Sequence, residues 1–134
     1  MNRDFARLWD LAAAAVAAAV CLIPMPTLAA SPPTPVEVSV MKEGGGYVFR
    51  NDAGLPLYTS AADGVGKSNC TGRCVENWPP LLAPADARPI GDWTVINRAG
   101  GRQWAYKGKP VYTHAADDGS AAGGADGVWR QIKP

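Results

Sequence analysis

Gly54-Leu55-Pro56-Leu57-Tyr58-Thr59-Ser60-Ala61-Ala62-Asp63 returns without a gap, 54 residues later, as Gly108-Lys109-Pro110-Val111-Tyr112-Thr113-His114-Ala115-Ala116-Asp117. A repeat of this kind is the first thing to read in a chain, because it sets the unit from which the fold is assembled. Outward from the block, Trp78 matches Trp129 once three residues are dropped from the intervening loop. Each unit therefore runs from a glycine turn through Tyr-x4-Asp to a tryptophan. Two units are too few for a solenoid, so they are expected to pack on each other about a pseudo-twofold axis and share one core.

The flanking segments read as strands. Val36, Val38 and Val40 alternate with Glu37 and Ser39, the period of a half-buried strand. Gly44 to Gly46 turn the chain, and Tyr47 to Arg50 and Leu57 to Thr59 flank Asn51-Asp52-Ala53-Gly54 as a hairpin. Trp93 to Asn97, Arg102 to Tyr106, Val111 to His114 and Val128 to Ile132 continue the pattern. Past the leader, at most one helical turn fits, at Cys74 to Trp78. The expected fold is all-β: a small single-domain β-barrel or sandwich of two tandem repeats, about 44–82 and 93–133, within a domain spanning 36–134.

At 134 residues the chain suits one domain. Its first thirty residues read as a cleavable signal peptide: Arg3 and Arg7, an apolar run from Leu11 to Ile23, then small residues at Thr27, Ala29 and Ala30. Pro24 ends that run after about 13 residues, short of the roughly 20 that a spanning helix needs. Residues 31–35, rich in proline, read as a linker. Cys21 lies in the leader behind bulky Val20, whereas a lipoprotein cleavage site places a small residue there, so no lipid anchor is expected. The product is expected to be periplasmic or secreted, touching the membrane only through its leader.

Lys plus Arg number 13 against 12 for Asp plus Glu, a net charge of +1 that leaves no basic excess for nucleic acid. In the mature chain Cys70 and Cys74 remain, and in an oxidising compartment they are expected to pair as a disulfide. Their spacing excludes covalent haem, which needs Cys-x-x-Cys-His, and two cysteines plus the single His114 fall short of a zinc site. Ala61 to Ser68 loosely fits a phosphate loop but lacks a following helix. Asp117-Asp118-Gly119 and Asp126-Gly127 bracket a loop that could offer oxygens to calcium, without the spacing of an EF-hand. His114 has no marked nucleophile to serve. No cofactor is expected.

The residues singled out are Tyr58 with Asp63 and Tyr112 with Asp117, where a phenol and the carboxylate just beyond its strand would meet, together with Trp78, Trp104 and Trp129. They would line a binding surface or, more simply, fill the core and cap turns. Taken together, Pro56-Leu57-Tyr58-Thr59 to Asp63, Cys70 to Cys74, Trp78-Pro79-Pro80-Leu81, Arg102 to Tyr106, Gly108 to Asp117 and Trp129 carry a resemblance. The chain resembles the bacterial secreted-repeat, lipoprotein-like proteins with a repeated Tyr-x4-Asp motif. The resemblance implies an envelope or extracellular location and a two-repeat domain, and carries no established activity.

The functional expectation is a non-enzymatic envelope module that binds a small ligand or an envelope protein. One alternative is an accessory in extracytoplasmic electron transfer or copper handling, drawing on Cys70, Cys74, Met41 and His114. Another is a hydrolase using Asp63 and Asp117 as acid and base.

Overall fold

The computed structural model describes Ala15 and residues 17–117 and 127–134. Most of the leader's charged and apolar stretch lies outside them, as do Asp118, Gly119 and Asp126 of the acidic loop. Among the described residues no helix is long and apolar enough to cross a membrane.

Each repeat begins with a β-hairpin. In the first, β1 (Val38–Glu43) pairs with β2 (Gly46–Asn51), Val38 opposite Asn51 and Glu43 opposite Gly46. Gly44 and Gly45 both take positive φ, 56° and 83°, the two-residue turn whose twist matches that of the strands it joins. In the second, β5 (Trp93–Arg98) pairs with β6 (Gly101–Tyr106), Trp93 opposite Tyr106 and Arg98 opposite Gly101. Between the hairpins lie β3 (Tyr58–Ser60), the short helix α1 (Arg73–Asn77) and β4 (Leu82–Ala83); β7 (Lys109–Pro110) and β8 (Trp129–Gln131) complete the chain. The first strand starts later than valine alternation suggested. Val36 is 91% exposed, and the strand begins at Val38, whose N–H is first turned back to the Pro35 carbonyl at 3.0 Å.

The repeats do not sit side by side; they interlock. Tyr58 and Tyr112 exchange both backbone hydrogen bonds, Tyr58 N to Tyr112 O at 2.8 Å and Tyr112 N to Tyr58 O at 2.9 Å. This closed pair of the antiparallel ladder marks the pseudo-twofold. On its far side β3 pairs with β8 of the other repeat, Tyr58 opposite Gln131 and Ser60 opposite Trp129. The segment around Tyr112 in turn takes its partner from the first repeat: Leu81 N bonds Val111 O at 2.9 Å and Thr113 N bonds Pro79 O at 2.9 Å. Ala61 N to Val128 O and Ala115 N to Asn77 O, at 2.7 and 2.8 Å, are a further symmetric pair.

One core lies where the hairpins meet this central ladder, built from Val38, Phe49, Leu57, Leu81, Trp93, Trp104, Tyr106, Val111 and Ile132. Phe49 of the first hairpin meets Trp93 and Tyr106 of the second edge-on, at 5.2 and 5.0 Å between ring centres. The second cluster, Tyr58, Cys70, Tyr112 and Trp129, lies around the twofold. The architecture is all-β and sandwich-like, made of two tandem repeats; the sheets stay open, so the barrel alternative is not formed. A barrel needs a continuous ring of paired strands, whereas here β1 and β2 form a ladder of their own.

Because both neighbours of β3, the segment around Tyr112 and β8, come from the second repeat, neither repeat can complete its sheet alone. Residues 36–91 and 92–134 produced separately are expected to lack native dispersion in amide NMR spectra, and mixing them is expected to restore it. Independent folding of either half would contradict the interlocked ladder.

Candidate functional site

The positions that the duplication repeats converge on the twofold. Trp78 and Trp129 stack face to face, 3.9 Å apart and 8° from parallel. Each carries a tyrosine edge-on: Tyr58 against Trp78 at 5.3 Å and Tyr112 against Trp129 at 5.0 Å. His114 leans on the outer side of this group, 4.4 Å from the Trp78 ring. Trp104 stands apart, buried in the hairpin core rather than at the twofold.

The tyrosines and aspartates meet across the repeats, not within them. The Tyr112 hydroxyl donates to Asp63 Oδ2 at 2.6 Å, and the Asn69 backbone N–H donates to Asp63 Oδ1 at 2.7 Å. Tyr58, correspondingly, faces Asp117. The expectation that each phenol meets the carboxylate of its own unit is therefore corrected, and the reason is geometric. A strand advances about 3.3 Å per residue, so Asp63 is carried away from Tyr58 and over Tyr112, its antiparallel neighbour.

Among the described residues the Asp63 junction is the more fully bonded. Around Asp63, Tyr112 also shares a hydrogen bond with Ser68 Oγ. Arg98 reaches in from β5, its Nη1 donating to Gln103 Oε1 at 2.8 Å and to Ser68 Oγ at 3.3 Å, its Nη2 to the Cys70 carbonyl at 2.8 Å. Fully buried Gln103 passes its own amide N–H to the Val111 carbonyl at 2.8 Å. Burial first, and the Asp63 carboxylate that accepts its proton second, push the Tyr112 hydroxyl up to about 12. Tyr58 is also raised, by burial and then by Asp117, yet its hydroxyl and Asp117 Oδ2 complete no hydrogen bond of ordinary geometry among the described residues.

Cys70 and Cys74 form a disulfide whose Cα atoms are 5.2 Å apart, tying the loop after Asn69 to α1. Closing so short a loop stabilises by about 2 kcal/mol through the entropy of the unfolded chain. Asp63, with both carboxylate oxygens engaged, serves as a buried anchor for the 61–69 loop. Arg98, Ser68 and Gln103 escaped the sequence reading because repeat symmetry does not mark them. At the turn position where Arg98 precedes Gly101, the first hairpin has Glu43 before Gly46, and Glu43 instead pairs with Arg50. A glutamine inside a strand that is otherwise apolar from Gln103 to Tyr106 was the one available signal.

Two stretches, 39–82 and 94–133, match a family described as a secreted repeat of unknown function. The chain belongs to that family. The boundaries of the two matches coincide with the interlocking units, each a hairpin followed by its Tyr-bearing segment and its Trp-bearing segment. Neither the curated proteins nor the solved structures hold a significant match to this secreted-repeat chain.

The Asp63 junction is measurable by urea unfolding. Tyr112→Phe leaves a buried Asp63 oxygen without its donor and is expected to cost about 1–3 kcal/mol. A pH dependence follows as well. Below the unfolded tyrosine value near 10 both states hold the Tyr112 proton; between about 10 and 12 the unfolded chain releases it while the fold retains it. Stability is thus expected to fall as pH rises through that window, and the fall in the unfolding midpoint should be shallower in Tyr112→Phe.

Proposed function

We propose that this protein is an exported, non-catalytic module of the cell envelope that binds a small ligand or a protein partner. Its leader is cleaved near Ala30 and the domain is released into the periplasm or the medium without a lipid anchor. The observation that carries this reading is the use of the repeated polar residues. Asp63 and Tyr112 are spent on each other and on the backbone of the 61–69 loop, inside the fold. An acid, base or nucleophile has to present its reactive atom to a cleft, and a carboxylate with both oxygens engaged is poorly placed to do so. Family membership supports export, since the family is described as secreted.

The disulfide bears on the copper reading, because it removes Cys70 and Cys74 as thiolate ligands. Behind Val20, Cys21 lacks the small residue that a lipid-modified cysteine follows, which supports a soluble product.

Two measurements test the proposal. Intact-mass analysis of the protein from its native envelope is expected to give a chain beginning near Ser31 with no acyl mass; an acylated Cys21 would overturn the soluble form. Affinity capture from envelope extract is expected to retain a ligand or partner while no extract component is chemically converted.

A further inference from the structure

On one face of the central ladder, β3 forms the floor of a groove of about 360 Å³ lined by Thr59, Ser60, Ala61, Lys109 and Arg130. The register sets which side chains meet there. Arg130 of β8 stands directly opposite Thr59, so the two project from the same face. On the other side of β3, counting from the mutual Tyr58–Tyr112 pair brings Lys109 alongside Ala61, again on that face. Ser60 projects from the opposite face, where its hydroxyl oxygen accepts the Ala62 N–H at 3.1 Å. One cation therefore stands on each flank of the same strand, with Thr59 between them.

Both cations retain unused donors. Lys109 Nζ gives one N–H to the Asp63 carbonyl at 3.0 Å, which fixes the ammonium group beyond the end of β3 and leaves two N–H groups over. Arg130 is exposed and makes no hydrogen bond or ion pair among the described residues. No carboxylate belongs to the described lining, and Asp63, two residues beyond Ala61, has its carboxylate oxygens taken by the Tyr112 hydroxyl and the Asn69 N–H. Two like charges on one groove repel each other and sum to a positive field that an anion relieves.

We propose that this groove binds the phosphoryl group of a phosphate monoester. Such a group carries a charge of about −1.5 to −2 at pH 7 and three acceptor oxygens. The guanidinium of Arg130 takes two of the oxygens as a fork, and the ammonium of Lys109 takes the third as a point charge from the other flank. A carboxylate, with one charge and two oxygens, leaves one of the two cations unmatched. The volume exceeds that of a bare phosphate and stands near the lower end of small-molecule sites, which leaves room for the organic part of the ester beside Ala61. The same phosphoryl group is presented by a soluble ester and by a lipid headgroup. The site rests on the reading of the protein as a binding module and supplies that module's ligand class.

Calorimetric titration of the exported protein with glucose 6-phosphate and with glucose, and flotation with phosphatidylcholine vesicles with and without phosphatidic acid, test it and separate the two sources. Binding is expected for glucose 6-phosphate, for the phosphatidic acid vesicles, or for both, and for neither glucose nor plain phosphatidylcholine. Arg130→Gln and Lys109→Gln should each weaken that binding about tenfold or more, as loss of a charge-assisted hydrogen bond implies, while Lys42→Gln, an exposed cation on β1, leaves it unchanged. Should Lys109→Gln loosen the 61–69 loop, exposed Arg130 still decides the matter. Silence of both phosphoryl probes at millimolar concentration, binding indifferent to Arg130→Gln, or an equal loss in Lys42→Gln overturns the assignment of this groove and leaves the non-catalytic reading standing. Release of inorganic phosphate from glucose 6-phosphate would overturn that reading instead.

Discussion

The pair of hydrogen bonds exchanged between Tyr58 and Tyr112 is the constraint on which the rest of this fold depends. It places the middle of one repeat directly against the middle of the other, antiparallel, so each repeat's outer segment has a free ladder edge on only one side. That edge is filled by the Trp-bearing segment of the opposite repeat. From this follow the stacking of Trp78 on Trp129 and the placing of each tyrosine against the other unit's aspartate. Small domains bury too little apolar surface to tolerate loose halves, and interlocking makes the whole chain share one cooperative unit.

The same arrangement shows how a duplicated sequence comes to hold two different junctions. At Asp63 the carboxylate is enclosed by a backbone N–H, a phenol and a loop held by Arg98 and the disulfide. At Asp117 the carboxylate faces Tyr58, and among the described residues the two complete no hydrogen bond of ordinary geometry. Repetition preserved the aromatic frame, which the symmetric ladder requires of both copies, while the loops outside the ladder diverged. Arg50 and Arg98 illustrate the divergence: the first pairs with Glu43 inside its own hairpin, and the second reaches across to the loop of the other repeat.

The aromatic group at the twofold joins the repeats, and its polar atoms are largely turned inward. The proline-rich segment that reads from sequence as a bare linker packs onto the domain, Pro33 against Gly91 and Pro35 buried.

By itself the sequence determined the all-β character, the two units, the turn positions and the availability of two cysteines for one disulfide, because each is written in local signals: alternation, glycine turns, a gapless repeat and short spacing. It did not determine which repeat each strand pairs with, or that Tyr112 would take Asp63 and not Asp117. Strand pairing between repeats is a choice among chemically similar edges, settled only when aromatic stacking and core burial are satisfied together. Arg98 and Gln103 acquired their roles in the same way. Arg98 takes Ser68 and the Cys70 carbonyl 30 and 28 residues away in the chain, a pairing that no local pattern encodes.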